Sequence, residues 1–163
     1  MELVVFVGLP ASGKTTFFRA RFAETHQHVS KDLFRNNKNR NRRQTQLTEA
    51  ALRAGRSVVV DNTNPTAEER WPLINLGREY AAKVVGYYFT SSERGCLERN
   101  RRRTGKAKVP DVAIYATAKK LTAPSRLEGF EDLFRVSITD KAGFEVHMWD
   151  EEVDPGAELD GTS

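Results

Sequence analysis

Two features of the chain predict an α/β fold with a largely parallel central sheet flanked by helices. Short apolar runs at residues 2–7, 57–62 and 83–89 recur along the sequence, and a segment with helical spacing or capping residues follows each one. Strands separated by helices cannot be joined by tight hairpins, so they lie parallel with the helices packed on the sheet faces. A length of 163 residues suits one domain burying roughly two-thirds of its unfolded surface.

The elements follow in order. The run at 2–7 is bounded by Gly8 and reads as a buried strand. A helix is expected over 13–24, with Phe18 and Phe22 facing the sheet, and Val29-Ser30 ends a second strand. The basic, Asn-rich stretch RNNKNRNRR at 35–43 predicts a poor helix or mobile loop, because Asn side chains compete for backbone hydrogen bonds. A helix over 44–54 stops at Gly55. SVVVDN at 57–62 is the third strand, and Asn64-Pro65 offers an N-cap and first-turn proline for the next helix. Pro72 falls inside that helix and should kink or restart it. KVVGYYF at 83–89 is the fourth strand, and Ser91 or Ser92 can cap a helix running into the arginines at 99–103. A loop over 104–109, a helix over 111–120 and strands at 133–138 and 144–149 complete a body of residues 1–149. The acidic tail, residues 150–163, contains Gly and Pro and is expected to be disordered.

GLPASGKT at 8–15 matches G-x-x-x-x-G-K-[ST], set between a strand and a helix as that phosphate-binding loop requires. Gly8 and Gly13 permit backbone turns that point N–H groups at phosphate oxygens, with Pro10, Ala11 and Ser12 completing the cradle. The helix that begins there, with Thr16 in its first turn, adds its positive end. Lys14 can reach the β- and γ-phosphates, and the Thr15 hydroxyl can ligate Mg²⁺, so ATP and Mg²⁺ are the expected ligands. Asp32 follows the second strand, where ligands bind in parallel sheets. It suits a general base that takes the proton of an attacking hydroxyl, or equally a helix N-cap for Leu33 onward. Asp61 either serves the site or satisfies backbone donors at a strand end.

Together GLPASGKT, SKD with Arg35, DNTNP (61–65), ERNRRRTGKAKVP (98–110) and APSRLEGF (123–130) resemble the 5′-hydroxyl polynucleotide kinases. They are most similar to the kinase domain of the animal polynucleotide kinase/phosphatases, with features of the phage enzyme. The resemblance implies an adenylate-kinase-like P-loop fold with a basic lid, and transfer of the ATP γ-phosphoryl to 5′-OH ends of DNA or RNA in end repair. It implies Asp32 as general base and Arg35 as the acceptor-phosphate arginine. Arg103 becomes the lid arginine on the donor phosphates, and Asp61 supports Mg²⁺ through water or holds Arg35. The chain departs from the family in Ser30-Lys31, where Asn-Arg is common, and in its basic 36–43 stretch.

Charge supports a phosphate-rich partner. The net charge is +4, and setting aside the six carboxylates of the tail leaves the body at +10. Lys38, Arg40, Arg42 and Arg43, with Arg35 and Asp61, are the candidate nucleic-acid contacts, although a solvated loop is the ordinary fate of such a run. Cys96 is the only cysteine, so no internal disulfide forms, and a reducing intracellular setting is expected: nuclear for a eukaryotic DNA-repair enzyme, otherwise cytoplasmic. No stretch is long enough for a membrane span, and nothing in the sequence reports oligomeric state. His26, His28 and His147 show no metal-ligand spacing and read as surface or packing residues. A small-molecule kinase, or a nucleic-acid-binding ATP module without transfer, would share the phosphate loop.

Overall fold

A computed structural model describes residues 1–141 and 143–149; the tail expected to be disordered lies outside the described residues. The chain forms β1 (Glu2–Val7), α1 (Lys14–Arg21), β2 (Gln27–Val29), α2 (Arg40–Arg53), β3 (Val58–Val60), α3 (Ala67–Glu79), β4 (Lys83–Phe89), α4 (Glu93–Arg101), α5 (Asp111–Lys120), β5 (Asp132–Ile138) and β6 (Phe144–Met148). The strands make one sheet in the order β2-β3-β1-β4-β5-β6, with the first five parallel and β6 antiparallel to β5. β1 therefore lies between β3 and β4, and the crevice of such an open sheet opens at the carboxyl ends of its strands.

Both faces of β1 are buried, which explains its unbroken apolar run. Leu3, Val5 and Val7 pack with Ala51 and Leu52 of α2 and Leu73, Ile74 and Leu76 of α3. Val4 and Phe6 pack on the other face with Phe17, Phe18 and Phe22. Leu9, Ala11, Cys96 and Ile114 form a smaller cluster that seats α4 and α5 against the loop after β1. Burial there pushes the Cys96 thiol pKa up, leaving it a packing residue.

Several boundaries differ from expectation. α1 ends at Arg21, and Phe22 closes it by donating its N–H to the Phe18 carbonyl at 2.8 Å. α2 starts at Arg40 rather than 44, because Asn39 caps it, accepting from the Arg42 N–H at 3.0 Å. The asparagines that weaken a helix interior thus start this one. α3 is capped by Thr66, not Asn64, through the Glu69 N–H at 3.2 Å. Asn64 adopts a left-handed backbone (φ 41°) and donates from Nδ2 to the Phe6 carbonyl at 2.8 Å, tying the DNTN loop to β1. Pro72 sits within α3 without ending it. Of the two candidate serines, Ser92 caps α4. The 104–109 loop contains a single 3-10 turn, Gly105–Ala107. Among the described residues, no helix is long and apolar enough to cross a membrane.

Candidate active site

The loop after β1 is shaped by what surrounds it. A Cβ on Gly8 would lie 2.8 Å from Phe89 Cβ and 2.9 Å from Ser12 Oγ, so only glycine fits. Gly13 turns into α1 with φ 94°, and Ala11 also holds a positive φ of 63°. Arg99 Nε braces that strained residue by donating to the Ala11 carbonyl at 2.7 Å. Arg99, one of the lid-side arginines, is thereby committed to the loop's shape.

Lys14 is buried and curls back, donating from Nζ to the carbonyls of Leu9 (2.6 Å) and Gly8 (3.1 Å) and to Ser12 Oγ (3.4 Å). Burial lowers its pKa to about 8; Arg103 pushes the same way, and Asp61 opposes. Thr15 Oγ1 donates to Asp61 Oδ2 at 2.8 Å, and the same oxygen meets His28 Nε2 at 2.8 Å. The His28 ring stacks on Phe18, centroids 3.9 Å apart. Asp61 is thus buried, and among the described residues its carboxylate meets the Thr15 and His28 side chains rather than backbone donors or Arg35. His28 packs, as expected, through its stacking on Phe18, and it also meets the Asp61 carboxylate, a contact the sequence reading did not foresee. The signal was its place at the end of β2, where pairing with β3 sets His28 against Val59 and Val29 against Val60.

Asp32 lies in the 3-10 turn Lys31–Phe34. Ser30 is that turn's cap, accepting from the Asp32 N–H, so the Asp32 carboxylate is not used for capping and stays exposed. Arg35 approaches it at 3.5 Å and donates from Nη2 to the Lys106 carbonyl at 2.8 Å. That contact joins the Asp32 turn to the lid. Asn100 closes the base of the lid by pairing its amide with both backbone groups of Val109 (2.6 and 3.1 Å). Arg103 sits on the arch, donating to the Ala107 carbonyl at 3.1 Å.

One cavity of about 530 Å³ collects these groups: Pro10, Ala11, Lys14, Thr15, Lys31, Asp32, Arg35, Asp61 and Arg103 all line it. Gly8, Ser12 and Gly13 build the loop beneath, and Thr16 is exposed on α1. Asn41, Gln44 and Thr45 of α2 and Glu68 and Glu69 of α3 form the far wall, none of them anticipated. Lys38, Arg40, Arg42 and Arg43 do not line it; all four are exposed. The helical start at Arg40 explains this: Asn41, Gln44, Thr45 and Thr48 share the inward face by i, i+3, i+4 and i+7 spacing, turning the arginines outward.

The donor set fits a hard cation such as Mg²⁺: Thr15 Oγ1 and the Asp61 carboxylate are adjacent oxygens. Among the described residues no group of three or more His, Cys, Asp or Glu could hold a metal. A cation here would take most of its ligands from water and nucleotide phosphates.

The profile of the AAA domain family matches residues 3–124. The chain is similar to the bifunctional polynucleotide phosphatase/kinase of Schizosaccharomyces pombe, with 28% identity over 83% of this chain and 33% of that one. It is also similar to a putative bifunctional polynucleotide phosphatase/kinase of Acanthamoeba polyphaga mimivirus, 28% identical over 91% of this chain and 36% of that one. The chain thus spans about a third of the length of these curated relatives. Among solved structures, Chaetomium thermophilum Kti12 in complex with ADP-AlF3 shares the fold, with TM-score 0.63 and 16% identity over 86% of this chain and 92% of that one.

Proposed function

Because the chain belongs to the P-loop AAA domain family, matched over residues 3–124, we propose that it is an ATP-dependent kinase of polynucleotide 5′-hydroxyl ends, acting on DNA or RNA in end repair. The observation that carries this reading is the single cavity in which Lys14, Thr15, Asp32, Arg35, Asp61 and Arg103 meet. The two relatives named polynucleotide phosphatase/kinase support the acceptor class.

In this reading the exposed Asp32 carboxylate accepts the proton of the 5′-hydroxyl as its oxygen bonds to the γ-phosphorus. The bond from that phosphorus to the β,γ-bridging oxygen breaks, and ADP leaves. Lys14 uncurls from the loop carbonyls to meet the β- and γ-phosphates, and Arg103 comes down from the lid onto the transferring group. Thr15 and Asp61 would hold Mg²⁺, which would supply positive charge against the nucleotide phosphates. Arg35 takes the acceptor phosphate beside Asp32. Lys38, Arg40, Arg42 and Arg43 are left to act at longer range, as a positive field along an approaching strand.

A second reading draws on Glu68 and Glu69, which line the cavity's far wall and suit the hydroxyls of a small polar acceptor. Incubation with γ-labelled ATP, Mg²⁺ and 5′-OH DNA and RNA oligonucleotides separates the two. Labelled 5′ ends are expected, and Asp32→Asn should lower turnover ~10²–10⁴-fold while leaving ADP affinity intact. Label on a small polyol, with none on any oligonucleotide, would overturn the polynucleotide reading.

A further inference from the structure

Gln44 carries an amide nitrogen that the fold leaves open at the site. The residue lies in the second turn of α2, is 7% exposed and lines the cavity. Its orientation follows from a chain of obligatory donors. The Lys31 N–H can only donate, so the Asn62 atom 2.9 Å from it is Oδ1. Asn62 must then present Nδ2 to Gln44, and the atom that accepts is Gln44 Oε1. Gln44 Nε2 remains, with two N–H donors. It has no hydrogen-bond partner among the described residues, yet it is not sealed from solvent. Open to the cavity, those donors are free to bond any acceptor oxygen that enters it in place of water.

From this we infer that Gln44 is a specificity-determining contact for the acceptor, donating to an oxygen of the terminal nucleotide, on its ribose or its first phosphate. The inference rests on the 5′-kinase reading and names the residue through which that site recognises its substrate. Position supports it. The amide chain ending at Gln44 begins at the backbone of Lys31, the residue beside Asp32, so the donor and the base are held as one unit. Lys31, partly buried and with its pKa lowered by that burial, lines the same cavity and offers a second donor to an oxygen-rich ligand.

Two substitutions test it. Gln44→Glu keeps an oxygen for Asn62, and so keeps the clamp, while removing both donors. Gln44→Met removes donors and clamp together without adding charge. Both should raise KM for a 5′-OH oligonucleotide about 10–100-fold while KM for ATP and ADP affinity stay within about twofold. A methylphosphonate at the first linkage locates the oxygen. If Gln44→Glu adds nothing to its effect, the contact is to phosphate; if the two losses multiply, it is to ribose. Unchanged acceptor KM in both variants, with the wild-type protein active, would overturn the inference alone. Equal rises in the KM for ATP and for acceptor would also overturn it, by showing a general distortion of the site. A wild-type protein that labels no oligonucleotide overturns the kinase reading and this inference with it.

Discussion

At the scale of single residues, Lys14 shows how the loop is set before nucleotide arrives. Its ammonium is held by carbonyls and a hydroxyl rather than an anion, and burial lowers its pKa from 10.5 to about 8. The sign of the pH effect follows. Below pH 8 the lysine is charged in folded and unfolded chains alike, and the folded state bears the full desolvation penalty. Between pH 8 and 10.5 the folded state sheds the proton first, which relieves that penalty, so the free protein gains stability from this group over that window. Nucleotide phosphates favour the charged form, so binding must restore the proton. Measured calorimetrically without Mg²⁺, ADP affinity should fall about tenfold per pH unit above pH 8, with proton uptake visible across buffers of different ionisation enthalpy. A pH-independent affinity from pH 7 to 10 would show that Lys14 keeps its charge in the free loop.

At the scale of elements, Asn100 decides whether the lid has a base. Its amide meets both backbone groups of Val109, closing residues 101–108 into an arch that carries Arg103. Asn100→Ala leaves those groups unpaired and should cost about 1–3 kcal/mol in urea unfolding, with faster proteolysis inside the arch. Loss of neither stability nor protection would show that Arg35 and Arg103 hold the lid without it. Elements governed by local pattern were legible in the sequence. β1 and β4 announce themselves by apolar runs, and GLPASGKT fixes the loop from a fixed spacing. The start of α2 was not legible, because Asn39 as a cap and Asn39 as a loop residue look alike until a tertiary contact chooses. The site divides the same way. Lys14, Thr15, Asp32 and Arg103 stand at motif positions, whereas His28 and Gln44 enter through strand pairing and helix phase, which no short window records.

At the scale of the whole molecule, Arg70 connects distant parts of the chain. Its fully buried guanidinium donates to both Glu128 carboxylate oxygens, the Asn64 and Thr122 carbonyls and Thr122 Oγ1, so each of its N–H groups has an acceptor. This cluster fastens the DNTN loop to the segment before β5, giving Glu128 of APSRLEGF a structural partner. Glu128 also accepts from the Ser125 N–H at 2.7 Å. Arg70→Met strands that carboxylate and should cost about 3–5 kcal/mol in chemical denaturation; adding Glu128→Gln should recover part of the loss. Equal stability of Arg70→Met and wild type would mean the cluster is replaceable by apolar packing.

The contacts under Gly13 reach to the far end of the described chain. Where its missing Cβ would project, Ile138 Cδ1 stands at 3.1 Å and Phe144 Cε1 at 3.3 Å, and the Phe144 ring packs edge-on to Phe17 with centroids 5.1 Å apart. The loop at residues 8–15 therefore rests on a hairpin that lies beyond the matched family segment. Synthesis is vectorial, so the phosphate-binding loop leaves the ribosome among the first residues while the surface beneath it emerges more than a hundred residues later. A nascent chain halted before β6 would display the whole motif, with Phe89 and Arg99 already in place around it, and still lack the Phe144 ring that stands under Gly13.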